Sequence, residues 1–376
     1  MWIQRYFETK SDFLSTEKVN ILYGPRRVGK TALIKKLLQN KKDKKIFTGE
    51  GDDLDLRSIL SSEQKTKILT TFAHYDIIFI DEAQRIPNIG WALKIMIDNL
   101  QDKMIIATGS SSFRLSSEIG EPLTGRNHTH QLYPLAVMEL YNQFGGMYIH
   151  QNLEYLLIYG MYPEVVTSEN IQSKMLYLRE LRNSYLLKDI LEIERIKSPD
   201  ILFKLLRLLA YQIGHDVSLN ELGKVLQISK HTVKRYIELL EKTFIIYKLN
   251  GFSKNLRKEI TKTSRYYFYD TGLRNAIINN FNSLEERNDA GMLWENFLVM
   301  ERLKKQSYLS LFSNNYFWRT YDQKEIDWVE EREGKLFGYE FKWGNKNPKP
   351  PKQWLNTYPE AEYKVINKEN YMDFIL

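Results

Sequence analysis

Cysteine is absent from all 376 residues, so disulfides, thiolate metal sites and zinc fingers are excluded, and a reducing cytosol is compatible with the chain. No apolar run approaches the ~20 residues of a membrane span, and "DIIFI" is typical of those that occur. The opening "MWIQRYFETK" has no apolar core of signal-peptide length. Internal repeats and long low-complexity tracts are lacking, and the six histidines are scattered. These absences lead to the expectation of a soluble, cytoplasmic protein with no membrane partner.

What is present is the composition of a folded protein. Hydrophobic residues make up 43% of the chain, charged residues 27% and aromatics 13%, without the apolar depletion that marks disorder. The length suggests two to four domains. A net charge of +7 favours a polyanionic partner without requiring one.

Residues 18 to 135 alternate short β-rich runs ("VNILY", "DIIFI", "MIIAT") with helical stretches, the rhythm of a parallel sheet covered by helices. From "PLAVMELYNQF" to about Ile196 the spacing is helical. Residues 198 to 249 hold three helical segments and then "FIIYKL", whereas 290 to 342 give a helix and two short alternating strands. "GNKNPKPPKQW" reads as a loop. The expected architecture is α/β and multidomain: a phosphate-loop core at 1–135, a helical extension at 136–197, a winged helix-turn-helix at 198–270 and a second α/β domain at 271–376.

Gly24, Gly29, Lys30 and Thr31 satisfy G-x-x-x-x-G-K-[ST] between the strand "VNILY" and the helix "TALIKKLL". Glycines there let backbone N–H groups close around phosphates at a helix N-terminus. Lys30 is placed for the β- and γ-phosphates and the Thr31 hydroxyl for Mg²⁺. The predicted nucleotide contacts are Gly24, Pro25, Arg26, Arg27, Val28, Gly29, Lys30, Thr31 and Ala32, with ATP and Mg²⁺ as cofactors. "DIIFIDEAQ" ends a buried strand at Asp81, a metal ligand, followed by Glu82, placed to activate water; helix capping is the plainer alternative. Ser110, at the end of "MIIATGSSS", is a candidate γ-phosphate sensor, or part of an ordinary strand-to-loop turn. Arg126 in "PLTGR" is a candidate transition-state charge, acting in cis or from a neighbouring subunit. "DEAQ" invites a helicase reading, but no second parallel α/β unit follows. The pair of histidines in "HTH" at 128 to 130 reads as solvated loop.

"SLNELGKVLQISKHTVKRYIELLEK" opens with a capping box from Ser218 to Glu221, then places Leu222, Val225 and Leu226 at helical spacing. A turn through Gln227 and Ile228 leads to a helix capped by Ser229. On it Val233, Tyr236, Ile237 and Leu240 share one face, while Lys230, His231, Lys234 and Arg235 project oppositely, as DNA-contacting residues would. "FIIYKL" and "RYYFYD" would form the wing. Glu238 and Glu241 shorten the basic face, and such modules also bind proteins.

In "EIDWVEEREGKLFGYEFK" alternation puts Glu325 and Asp327 on one strand face and Glu340 and Lys342 on one face of the next. A Glu333-Gly334 turn would set Asp327 across from Glu340, a repulsion that a divalent metal would remove. Glu295 supplies a third acid from a helix. Metal, carboxylates and a lysine make a phosphodiester-cleaving site. The alternative is an ordinary Glu325–Lys342 ion pair with Asp327 and Glu340 facing solvent.

"GPRRVGKT", "FIDEAQRIP", "ATGSSS…LTGR", "YPLAVMEL", "YDTGLRNA", "WENFLVMERLK" and "EIDWV…YEFK", in this order, resemble prokaryotic AAA-type P-loop ATPases with a C-terminal domain of uncharacterised function. The resemblance covers nearly the whole chain. It implies an ATPase core, a winged-helix segment and a restriction-endonuclease-like terminal domain. Lys30, Thr31, Asp81 and Glu82 would take nucleotide and Mg²⁺; Glu295, Asp327, Glu340 and Lys342 match the nuclease-type pattern. Ile326 stands where the fuller pattern has proline, so cleavage stays open. The expected activity is ATP hydrolysis controlling C-terminal modules that act on DNA, with ATP/ADP, DNA, a protein partner and further copies of the chain as candidate partners. The alternatives are an ATP-gated, metal-dependent nuclease and a nucleotide-regulated protein-binding module.

Overall fold

A computed structural model of the chain describes residues 1–110, 122–193, 198–253, 263–320 and 322–376, with 184–193 described by backbone alone. The chain forms two compact units. One comprises Gln4–Pro134 with Lys242–Phe244, the other Met1–Ile3, Leu135–Glu241 and Ile245–Leu376.

The first unit is built on a five-stranded sheet of β1 (Val19–Tyr23), β2 (Ile46–Glu50), β3 (Ile77–Asp81), β4 (Met104–Gly109) and β5 (Asn127–Gln131). All pairings are parallel and the order is β2-β3-β4-β1-β5. β1 and β4 are buried along their whole length, as strands covered on both faces must be. That burial explains why "VNILY" and "MIIATG" read as apolar runs rather than as alternations. The helices are α1 (Lys30–Leu38), α2 (Leu54–Leu60), α3 (Lys65–Phe72) and α4 (Ile89–Asn99). Ile78, Ile80, Ile105 and Ala107 of the sheet share one core with Leu56, Ile68, Phe72, Leu93 and Met96 of the helices. Register brings the carboxyl ends together, pairing Tyr23 with both Gly109 and Gln131, and Glu50 with Asp81. "HTH" at 128 to 130 is not solvated loop but part of β5. His130 packs against Phe7 and Phe13, and burial, then His128, lowers its pKa to about 4.

In the second unit, helices α5 (Val137–Tyr159), α6 (Pro163–Thr167), α7 (Ile171–Ile193), α8 (Pro199–Tyr211), α9 (Leu219–Leu226) and α10 (Lys230–Lys242) precede the first strands. α5 is broken at Gly145, whose φ of 79° no helix interior accepts. A six-stranded mixed sheet has the order β11-β10-β9-β8-β6-β7. Its strands are β6 (Ile246–Gly251), β7 (Ser264–Phe268), β8 (Asn314–Arg319), β9 (Glu325–Arg332), β10 (Lys335–Phe341) and β11 (Glu362–Ile366). Helices α11 (Thr271–Ile278), α12 (Ala290–Tyr308), α13 (Lys352–Thr357) and α14 (Tyr371–Ile375) complete the unit. Three strands, not two, fall between 290 and 342, since β8 lacks a clean alternation. β6 and β7 pair antiparallel, as strands of a wing would, yet β6 also pairs parallel with β8. The expected boundary at 270/271 therefore cuts through one continuous sheet.

α11 packs on α5, α7 and α8. Its close approach needs glycine, because a Cβ on Gly272 would lie 1.9 Å from the Tyr159 carbonyl oxygen. Asp270 caps α11, accepting from Leu273 N (2.9 Å) and Met161 N (2.7 Å), so "YDTG" is a structural joint. Glu333 and Gly334 both take left-handed φ, the requirement of a two-residue hairpin turn. The register from Lys335↔Arg332 to Tyr339↔Trp328 runs toward opposition of Asp327 and Glu340. No helix among the described residues is long and apolar enough to cross a membrane.

Candidate functional site

The loop between β1 and α1 is shaped by two glycines. Gly24 (φ 149°) passes so close to the segment just after β5 that a Cβ would lie 2.0 Å from the Leu132 carbonyl oxygen. Gly29 (φ 94°) caps α1, and Arg27 is also left-handed at φ 61°. Backbone that reverses hand in this way curls successive N–H groups around a concavity suited to anions. Val28 is fully buried and Pro25 buried, Arg26 is half-buried, and Arg27 and Ala32 are exposed. Lys30, only 5% exposed, donates from Nζ to the carbonyls of Gly24 and Pro25, each at 2.9 Å. The loop is anchored from behind by Arg5, which donates to the carbonyls of Val28 (2.7 Å) and Tyr133 (2.8 Å). Sequence reading missed Arg5 because nothing local links "QRYF" to a loop more than twenty residues on.

At the carboxyl end of β3, Asp81 Oδ2 accepts from the Thr31 hydroxyl at 2.7 Å, and Oδ1 accepts from the Thr108 hydroxyl. Glu82 follows in left-handed conformation (φ 48°), a geometry that costs on the order of 1 kcal/mol and persists only where surroundings impose it. Its N–H donates to Asp81 Oδ1 (3.1 Å) and Thr108 Oγ1 (3.3 Å). Gly51 makes room, since a Cβ there would lie 2.2 Å from the Glu82 carbonyl oxygen. The Gln84 amide donates both to Glu82 Oε2 and to Ser110 Oγ, the latter at 3.1 Å. Thr31, Asp81, Glu82 and Ser110 therefore share one network with Lys30 beside it. Thr108 and Gln84 are members that motif reading passed over. A hydroxyl and a carboxylate in contact are hard oxygen donors of the kind Mg²⁺ takes, so these residues fit that ion. Ser111 and Ser112 lie outside the described residues.

Arg126 is not part of this cluster. It precedes β5, and Val19 N donates to its carbonyl, which places it at the amino end of the strands. Five strand residues at ~3.3 Å each separate that end from the loop, about 16 Å, so action in cis on this chain's loop is excluded. Its guanidinium pairs with Asp98 at 2.7 Å.

The acids of the second unit do converge, but on a cation of the chain itself. Arg265 of β7 is 3% exposed and stacks 4.5 Å from the Phe317 ring centroid. Its Nε meets Asp216 Oδ1 at 3.2 Å and Nη2 meets Glu325 Oε2 at 2.5 Å, while Nη1 lies 3.8 Å from Glu295 Oε1 and 3.6 Å from Asp327 Oδ1. Burial opposes its charge, yet Tyr267, Glu295, Glu325 and Asp327 outweigh burial and hold its pKa above the ordinary value. Glu295 also accepts from the Tyr267 hydroxyl at 2.7 Å, and Asp327 Oδ2 from Phe341 N at 2.8 Å. Lys342 Nζ binds Glu340 Oε1 at 2.6 Å. Burial and then Asp327 push Glu295 up to about 8 and Glu340 up to about 7; burial raises Asp327 too.

Two expectations are corrected here. Glu325 pairs with Arg265 rather than Lys342, and Asp327 and Glu340 are buried instead of facing solvent. Nor do the residues fit the divalent metal expected of them. Among the described residues no group of three or more acids or histidines is arranged to hold a metal ion, and the buried Glu340 Oε2 has no hydrogen-bond partner.

α9 and α10 are joined by a short turn in which Gln227 is left-handed. Ser218 caps α9 through Glu221 N (3.3 Å), and Ser229 caps α10 through Thr232 N (3.1 Å). Leu222 and Leu226 are buried, but Val225 is 61% exposed, off the expected face. Lys230, His231, Lys234 and Arg235 are all exposed on α10, with Lys234 3.7 Å from Glu238.

The first unit thus defines a class: a parallel α/β domain whose strand-to-helix loop suits a phosphate chain and whose neighbouring strand brings a carboxylate to it. Comparison agrees over that region, since residues 16–141 match an AAA domain, which supports a P-loop AAA-type domain there. Residues 150–284 and 290–374 match two domains of unknown function, DUF8612 and DUF4143. The chain is similar to an uncharacterised protein of Mycobacterium tuberculosis, 25% identical over 329 residues, which cover 86% of this chain and 70% of that one. It is 25% identical over 347 residues to an uncharacterised protein of Methanocaldococcus jannaschii, covering 87% and 74% of the two chains. Among solved structures, the Walker-type ATPase PABY2304 of Pyrococcus abyssi gives a TM-score of 0.44 at 18% identity, over 69% of this chain and 91% of that one.

Proposed function

We propose that the chain binds ATP with Mg²⁺ at the loop Gly24–Ala32 and hydrolyses it. The observation that carries this reading is the 2.7 Å contact between the Thr31 hydroxyl and the Asp81 carboxylate, residues 50 positions apart, beside a buried Lys30. Lys30 would exchange carbonyl partners for β- and γ-phosphate oxygens, adding the attraction of opposite charges that a neutral carbonyl does not offer. Thr31 and Asp81 would hold Mg²⁺, which when bound neutralises charge on the phosphate oxygens. Glu82 would accept the proton of the attacking water, its carboxylate oriented by Gln84. Ser110, on the same amide, would register the γ-phosphate. Arg126 remains a candidate only for a neighbouring copy of the chain. Phosphate release from ATP, measured for the wild type and for Lys30→Ala, tests the reading; undiminished turnover in the variant would overturn it.

A DNA-directed output is the second reading, favoured by the four exposed basic side chains on the amino half of α10. In it the ATPase core, helical extension and terminal α/β domain serve a helix-turn-helix that contacts phosphates. Duplex DNA should then change ATP turnover, and replacing Lys230, Lys234 and Arg235 together by alanine should remove that response. A response that survives the triple replacement would move the contact elsewhere.

A further inference from the structure

The geometry points to Arg265 as the resident cation of the acidic cluster in the second unit, so that Glu295, Asp327 and Glu340 form a metal-free site in which a guanidinium stands where a shared divalent ion would sit. This inference is independent of nucleotide binding.

Three observations carry it. Nη1 lies within 4 Å of one oxygen of Glu295 and one of Asp327, the two carboxylates an ion would bridge. The guanidinium is fixed from several sides: Asp216 takes Nε, Glu325 takes Nη2 and the Phe317 ring lies against it. An incoming ion would have to expel a buried group and break both hydrogen bonds. A planar, delocalised and weakly hydrated cation suits such a many-sided role better than ammonium does. Finally, the remaining acids are held by donors of the chain, Glu295 by Tyr267, Asp327 by Phe341 N and Glu340 by Lys342. Mg²⁺ requires near-octahedral oxygen ligation, and each of these three carboxylates already gives one of its two oxygens to a donor of the chain. Position alone did not reveal this in the sequence, because Arg265 stands 30, 62 and 75 residues before Glu295, Asp327 and Glu340.

Mn²⁺ titration of the nucleotide-free, full-length protein, read by electron paramagnetic resonance, tests it. Wild type and Asp327→Asn should bind Mn²⁺ with the same stoichiometry and affinity. Arg265→Ser should gain one ion per chain, and Arg265→Ser with Asp327→Asn should lose it again. An ion bound by the wild type and lost, or weakened at least tenfold, in Asp327→Asn would overturn the inference. So would a folded Arg265→Ser protein that gains no ion. Circular dichroism reports folding of the variants, and if Arg265→Ser does not fold, the wild-type and Asp327→Asn pair still decides.

Discussion

Two strands of this protein carry an acid at or near one end, half-buried Asp81 and buried Asp327, and the surroundings of the two acids differ in kind. Asp81, closing β3, is met by neutral donors, the hydroxyls of Thr31 and Thr108 and the N–H of Glu82. Asp327, early in β9, lies among Arg265, Lys342 and three further carboxylates, counting Glu295, Glu325 and Glu340. Hydroxyls orient a carboxylate without cancelling its charge, which leaves it able to hold a cation. A guanidinium cancels the charge outright. Identical residue types in a strand-end setting therefore lead to opposite chemistry, and the difference lies in partners distant in sequence.

Several substitutions would break or sharpen this contrast. The largest effect is expected at the first site, where Glu82→Gln should lower ATP turnover by ~10²–10⁴-fold with ATP affinity nearly unchanged, since a positioned proton acceptor contributes that much. Equal losses in turnover and affinity would show a binding role instead. At the second site, Arg265→Met should cost about 3–5 kcal/mol in urea denaturation, because it strands buried carboxylates. A loss below ~1 kcal/mol would mean the cluster does not depend on its arginine.

The same site should respond to pH. Glu340 is raised from 4.5 to about 7, so between those values the folded protein holds a proton that the unfolded chain has released. This contribution to stability is whole below pH 4.5 and is lost as pH rises through about 7, on the order of 2–3 kcal/mol. Glu340→Gln should flatten the decline in urea denaturation series, and an unchanged slope would assign it to another group. Next in size, Gln84→Ala should lower kcat about tenfold through misplacement of Glu82, the effect of losing one charge-assisted hydrogen bond. No change in kcat would make the amide a bystander. The smallest effect is expected for Arg126→Ala, where both partners of the ion pair are well exposed: less than ~1 kcal/mol in stability, with ATP binding by the single chain unaltered.

Much of the first site was legible because a strand, a glycine loop and a helix N-terminus are adjacent in sequence and each leaves a local signature. The hydrophobic run ending at Asp81 is equally local. Arg5, Thr108 and Gln84 were not legible, because their roles depend on a carbonyl, a carboxylate and a hydroxyl supplied by other elements. The hairpin at Glu333-Gly334 was readable from alternation, and its register follows. Of the pairings β6 makes, the one with β7 is local and readable, whereas parallel pairing with β8 links residues more than sixty positions apart. The cis reading of Arg126 misled for the reverse reason, since nothing in "LTGR" tells which end of a parallel sheet the loop occupies.

Calorimetric titration of Mg²⁺–ATP into the wild type and Lys30→Ala bears most directly on the loop at Gly24–Ala32. One saturable site per chain is expected in the wild type, weakened at least ~10-fold when the ammonium is removed. Absence of binding by the wild type, or equal binding by Lys30→Ala, would contradict the assignment.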